Sequence, residues 1–455
     1  MLRTIAVLLI TAFGIVLSIK DAFWGLLLYT WYSFFSPLEL TYGILAESRL
    51  SLIVAVVLIF TAILQGKALF KASTVTFLVI IFCIVAMTSL AVKGTYNLQD
   101  VIRETLTLNK LAIMAIFAPV LVTNVVRLKL YVFAIVVSVG FLASYYGVFG
   151  LFAGSTFIAG VGRIGDNNFY ALALVSTLPL IPLCIKYANY RSLKFGLICI
   201  TFGTLLALIL TYSRGGFIGL LFVTAFWLLF LRKRWLITVV TLLVLSYLTL
   251  SSFGYIRDFN RYDFESDFGA SSVASQTLDD YLVRLLTLTS NPEDSESGRS
   301  RLHFWKVALL MANDRPLSGT GLNRFSLDYQ SYDYSNGEFG GARAVHSTPM
   351  LILAELGYLG AIAFFVLIAS CYIILIKARR SLKKMTDLKD GIYLRDLAST
   401  IMIAFVGFMV AGSFVIGLYV EIFWSLISLT IMCELLTKQI INEDSTNNSL
   451  PPISA

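Results

Sequence analysis

Histidine is almost missing from this chain: there are two, His303 and His346, in 455 residues. That excludes the H-E-x-x-H helix of zinc hydrolases, which needs two imidazoles one helical turn apart. No G-x-x-x-x-G-K-[ST] phosphate loop occurs, and "GTG" at Gly319 to Gly321 lacks the strand–turn–helix setting of a nucleotide fold. The absence of D-x-D weighs against a metal-dependent transferase of nucleotide sugars. Cysteine is scarce as well. The five present (Cys83, Cys184, Cys199, Cys371 and Cys433) lie in or beside apolar blocks with no C-x-x-C, so neither a disulfide framework nor a zinc site is expected. None of these patterns calls for a metal or a cofactor. Charged residues make up 14% of the chain, against about a quarter in a soluble globular protein.

Apolar sequence fills the deficit: 58% of the residues are hydrophobic and the mean hydropathy is +0.82. It comes in long blocks, many near the ~20 residues that cross a hydrocarbon core. The expected fold is all-α, a polytopic integral membrane protein with about twelve or thirteen transmembrane helices and one large external loop. Candidate spans are residues 4–19, 22–35, 50–65, 74–92, 110–126, 130–152, 168–185, 195–211, 215–231, 235–252, 347–376, 397–417 and 420–437. The first is read as a membrane helix, because a second apolar block follows Lys20-Asp21 at once without a small-residue cleavage site.

The net charge of +8 is placed for a membrane, not for nucleic acid. Basic residues cluster at Lys186/Arg191/Lys194, at Arg232-Lys233-Arg234 and from Lys377 to Arg395, the pattern of cytoplasmic connections. Fixing these inside puts residues 157–167, the turn "TYSRGG" and the loop 253–346 outside. The chain then divides into N-terminal membrane helices (1–191), a core with its loop (192–376), a basic cytoplasmic connection (377–396), C-terminal membrane helices (397–437) and a disordered tail (438–455). Within the loop, residues 299–313 have apolar positions at helical spacing, and "NDRPLSGTG" reads as the turn that ends that helix.

The polar residues of the external face are the candidates for chemistry. Arg214 lies in a turn between two apolar blocks. It is either an arginine snorkelling to the interface or a fixed guanidinium that grips an anion with its fork, with Gly215 and Gly216 allowing close approach. Arg299 and Arg301 stand roughly 200° apart on the loop helix, so they do not both point at one ligand. Arg343 is a further cation. His346 precedes the start of a helix, where it either caps and hydrogen-bonds or serves as a general base kept neutral by the helix dipole. Glu355, deep in an apolar helix, needs a partner and is read as structural support. Asp166, Asn167 and Asn168 open another helix on the same face, with Asp166 suited to capping and Asn168 to contacting substrate. Tyr329 and Tyr332 offer rings for stacking on a sugar, or for packing of the loop.

The order of these motifs is informative. "SRGG" between two spans, a long external loop with "GR" and "PLSGTG", then "HS" followed by "ELGYLG", resembles the O-antigen ligase superfamily over about residues 192–360. The N-terminal "WYSFFSPLELTYGI" and "DNNFYALALVSTLPL" are similar to O-glycosylation ligases associated with exosortase systems. The resemblance implies an enzyme of the inner membrane with a periplasmic site, moving a glycan from undecaprenyl pyrophosphate to a protein or a lipid or polysaccharide acceptor. It places pyrophosphate contacts on Arg214 and Arg299 and acceptor assistance on His346. The alternatives are a polysaccharide polymerase of the same superfamily, a secondary transporter, which would place ionisable pairs at mid-membrane, or a non-catalytic assembly partner.

Overall fold

The computed structural model of the chain describes residues 2–41, 50–91, 98–153, 166–211, 213–230, 296–340, 344–384 and 388–449. The expected span 235–252, the loop residues 253–295 and Arg343 lie outside the described residues. The described residues form α1 (Leu2–Lys20), α2 (Ala22–Phe35), α3 (Leu50–Leu64), α4 (Thr74–Ala91), α5 (Leu98–Leu121), α6 (Val125–Ala153), α7 (Asn167–Thr177) and α8 (Leu180–Tyr187). They continue with α9 (Arg191–Leu210), α10 (Arg214–Phe230), α11 (Glu296–Asp314), α12 (Phe325–Tyr332), α13 (Thr348–Ser381), α14 (Lys389–Gly412) and α15 (Glu421–Ser449), with no strand among them. Seven of the spans are long and apolar enough to cross a membrane, and residues 50–64, 74–90, 105–121 and 214–229 form shorter apolar helices. The protein is an all-α, polytopic membrane protein.

Three elements differ from the pattern of apolar runs, each for a local reason. The run 168–185 is broken into α7 and α8 around Pro179, the N-cap of α8, because proline lacks the N–H that a continuous ladder needs. α13 kinks at Gly357, whose φ of 66° and ψ of −168° lie outside helical space. α15 runs on to Ser449, past the expected end at residue 437. The i,i+4 pairs Glu434–Lys438 and Gln439–Glu443 carry it onward beyond its apolar part.

Within the membrane, helices meet by close approach of small residues, since lipid gives apolar side chains no preference for one another. α6 and α9 show this clearly. A Cβ on Gly203 would sit 2.2 Å from Ser144 Oγ, and one on Gly147 would sit 2.8 Å from the Gly203 carbonyl oxygen.

Contacts sort the helix ends into two layers. At one end, Arg127 pairs with Asp21, Lys129 with Asp390 and Lys186 with Asp396, which gathers the basic connections together. At the other end lie the starts of α7, α10, α13 and α15 and the close of α14. Above that second end sits a small core of its own: Phe304, Val307, Ala308 and Met311 of α11, Phe325 and Tyr329 of α12, Val345, and Leu351 and Ala354 of α13. Each large apolar side chain sequestered there contributes about 1.5–3 kcal/mol.

Candidate functional site

Two helix starts are tied to one another first. Asp166 caps α7, its Oδ1 accepting from the N–H groups of Asn168 (2.7 Å) and Phe169 (3.3 Å). Asn167 donates from Nδ2 to the carbonyl of Thr211 at 2.8 Å. Ser213 donates to Asn168 Oδ1 at 2.8 Å, and its Oγ accepts from Gly216 N at 3.1 Å. These bonds pin the turn that starts α10 and therefore fix the backbone of Arg214. Asn168, a candidate for substrate contact, spends its carbonyl oxygen on holding that turn.

The turn between α14 and α15 is the second component. Phe414 lies against Gly215, where a Cβ would come 2.8 Å from the phenylalanine Cβ. Arg301 stands over the Phe414 ring with Cζ 6.0 Å from its centroid, and Trp305 packs on the same ring at 6.5 Å. Phe414 thus holds Arg301 and the Arg214–Gly215 turn on one ring. Burial, and then the charge of Arg214, push the Arg301 guanidinium below its ordinary value, while Asp166 acts in the opposite sense. Two like charges from separate elements therefore feel one another, and the Asp166 carboxylate opposes them at Arg301.

Arg299 goes elsewhere. It pairs with Glu338, both side chains about half exposed (52% and 51%), and its Cζ is 5.9 Å from the Phe339 centroid. The structure brings Arg301, not Arg299, to Arg214. The physical reason is the register of α11, which turns residue 301 toward the α14–α15 turn and residue 299 toward the segment 338–339.

His346 stands two residues ahead of Thr348, in the left-handed region with φ of 49°. Ser347 caps α13 by accepting from Met350 N at 3.5 Å. Thr348 donates to the Val415 carbonyl and accepts from Gly417 N, both at 2.7 Å. The turn that carries Phe414 therefore also anchors the segment of His346. A non-glycine residue held at positive φ stores strain of about 1–3 kcal/mol, a cost met where the surrounding structure fixes the residue for a purpose.

Glu355 and Gly357 lock the loop to the membrane core. The kink at Gly357 opens α13, and the backbone of the turn after α11 enters it. Tyr358 N donates to Pro316 O (2.7 Å), Thr320 N to Ala354 O (2.8 Å) and Gly321 N to Glu355 O (2.9 Å). Gly319 and Gly357 both have positive φ, and a Cβ on either would lie within 2.6 Å of a backbone oxygen. The Glu355 carboxylate accepts from Asn323 N (2.8 Å) and Phe325 N (3.1 Å), which caps α12. Its support of the loop runs through these backbone groups.

Of the two uses open to the aromatic residues, Tyr329 takes the packing one. Tyr329 is fully buried and its hydroxyl meets His303 Nε2 at 3.0 Å, so it packs the loop and offers no face to a sugar. Tyr332 donates to Asp314 at 2.6 Å and packs against the same core. His303 lies between the rings of Tyr334 and Phe339, each 4.6 Å away, with Asp333 Oδ1 at 3.2 Å from Nε2. Burial lowers its pKa, against the raising effect of Asp333. The sequence reading also missed Phe414 and Trp305. Nothing in a short turn between two apolar blocks marks one phenylalanine as the floor of a site.

Residues 199–365 match the O-antigen ligase family. The chain carries an O-antigen ligase domain. Residues 1–191 match a family of unknown function (DUF5935). No curated protein matches the chain. The O-antigen ligase domain contains Arg214, Arg299, Arg301, His346 and Glu355, whereas Asp166 and Asn168, which brace the Arg214 turn, come from the preceding match. Phe414 lies beyond both. The arginine pair is therefore assembled by the O-antigen ligase domain together with the helices that flank it.

Proposed function

We propose that this protein transfers a glycan from undecaprenyl pyrophosphate to a hydroxyl of a protein, lipid or polysaccharide acceptor, at the periplasmic face of the inner membrane. The observation that supports this most is the Arg214–Arg301 pair around Phe414. Two guanidiniums within each other's field suit a multiply charged anion, and a pyrophosphate supplies that charge with oxygens spaced for bidentate contact. The starts of α7, α10 and α13 lie at the same end, so their dipoles add positive potential.

In the reaction the acceptor oxygen attacks the anomeric carbon as the bond from that carbon to pyrophosphate breaks. His346 takes the acceptor proton. Negative charge collects on the departing pyrophosphate, where Arg214 and Arg301 stabilise it more than in the ground state. Displacement in a single step inverts the anomeric centre. The activated donor supplies the driving force.

The test is a comparison of cells with and without this protein. A glycan-bearing product should vanish on deletion, return with the wild-type chain and stay absent with Arg214→Lys, which keeps the charge but loses the fork. Near-normal product with Arg214→Lys would sink the anion-binding role. A lengthened lipid-linked polymer as the missing product would identify a polymerase using the same site. Side is tested separately: a cysteine at Ser331 should react with an impermeant reagent in spheroplasts and one at Lys383 should not.

A further inference from the structure

The loop helix α11 bears apolar side chains on two arcs. One arc is the packed core of Phe304, Val307, Ala308 and Met311. The other carries Leu302, Leu309 and Leu310, which remain 45%, 40% and 39% exposed, with Leu317 just past the helix at 74%. By helical spacing Leu302, Leu309 and Asn313 fall within roughly 40° of one another, and Lys306 and Arg299 lie on the same arc, between them and Leu310.

A hydrogen bond fixes which way this second arc looks. Asn313 Oδ1 accepts from the Tyr358 hydroxyl at 2.8 Å. Tyr358 heads an exposed stripe on α13, continued by Leu359, Ile362, Phe365 and Val366 at the spacing of one helix face. α13 is long and apolar enough to span a membrane, so that stripe meets lipid. Asn313 shares its arc with Leu302 and Leu309, and the leucine face of α11 is continuous with the lipid-facing side of α13.

Depth points the same way. Tyr358 lies about 15 Å along α13 from its start at Thr348 by the rise of a helix, and its N–H is bonded to Pro316 O, two residues past the end of α11. The C-terminal end of α11 is thus tied below the level at which α13 begins.

We propose that α11 is an interfacial helix, sunk through Leu302, Leu309, Leu310 and Leu317 into the acyl boundary of the bilayer leaflet at the site end of the molecule. The two cations on this arc are drawn to partners in the segment 334–338: Lys306 lies 4.3 Å from the Tyr334 ring centroid and Arg299 pairs with Glu338. The placement puts both at headgroup depth, with the leucines in hydrocarbon. One consequence rests on the transfer reaction proposed above: Arg301 is held at headgroup depth, where the pyrophosphate of a membrane-anchored donor lies. The lipid contact itself does not depend on that reaction.

The experiment uses the full-length protein in phospholipid nanodiscs, with the partly exposed Cys83, Cys184 and Cys199 replaced by alanine. A nitroxide is placed by Leu309→Cys or, in a second variant, Leu302→Cys, with Ile362→Cys as the lipid reference and Ser331→Cys as the water reference. The ratio of collision with oxygen to collision with a polar nickel chelate should match that of Ile362 and exceed that of Ser331 several-fold. A ratio matching Ser331 overturns the proposal. So does shielding from both reagents, which would mean that protein covers the face.

Discussion

The sharpest consequence of the site geometry concerns two arginines on one helix. Arg301→Ala removes a guanidinium that lies over the Phe414 ring and feels the charge of Arg214. Loss of one preorganised donor to a developing anion costs about 10²–10³ in kcat, and that is the expected loss. Arg299→Ala removes an ion pair whose two side chains are about half exposed. Such a pair contributes about 0.2–1 kcal/mol to stability and nothing to the anion pocket, so transfer should stay within a few-fold of wild type. The assay is the initial rate of glycan transfer by the purified full-length chain at saturating lipid-linked donor. Thermal unfolding in the same detergent shows whether each variant is folded. Arg301→Lys should recover part of the loss, since it restores charge without the fork. If Arg299→Ala falls as far as Arg301→Ala, or Arg301→Ala keeps a near-normal rate, the assignment of the pocket to Arg214 and Arg301 is wrong.

Three other outcomes follow from the same structure. His346→Ala should lower transfer by about 10²–10⁴ while donor binding persists, because a general base acts on the acceptor in the transition state; equal losses in donor affinity would make His346 a binding residue instead. His303, whose pKa burial depresses, should make the α11–α12 layer acid-sensitive: the folded state binds fewer protons than the unfolded one, so stability is full above the ordinary value of 6.5 and declines as pH falls below it. The protection of α11 and α12 amides, relative to their intrinsic exchange at each pH, should then fall between pH 7.5 and 5.5, and His303→Phe should blunt the change; protection that rises in acid would reverse the sign and refute it. Gly357→Ala puts a Cβ at positive φ, 2.6 Å from the Pro316 carbonyl oxygen, so the loop should undock from α13, read as new protease cleavage near residues 315–321.

Most helices were legible because a membrane span is written in composition alone. α2, for example, begins and ends where its apolar run does. What composition does not encode is how a span is interrupted. The kink at Gly357 depends on the turn 316–321 entering from another part of the chain, and no property of "ELGYLG" by itself distinguishes a kink from a close helix contact. The extension of α15 to Ser449 was missed for the opposite reason: its apolar run ends, but i,i+4 polar pairs continue the helix. Of the candidate site, the Arg214 turn and the His346 helix start were marked by polar residues at the edges of spans. Phe414 was not, because an aromatic residue at such an edge is ordinary.

The choice between Arg299 and Arg301 shows why a site residue can be ambiguous in sequence yet decided by physics. α11 is apolar on two arcs because each arc meets a different apolar partner. His303, Phe304, Val307, Ala308, Met311 and Ala312 pack inward, and on a helix wheel Arg301 lies roughly 70° from the centre of that arc, Arg299 roughly 130°. Leu302, Leu309 and Leu310 stay exposed. Counted together, the two arcs blur into a helix with no clear inner face, and either arginine qualifies. Separated, they give one answer: an arginine beside the packed arc is carried to the α14–α15 turn, and an arginine beside the exposed arc is carried to the loop edge. The arc that faces lipid, by masking the inner face in the sequence, is what hid the second arginine of the pocket.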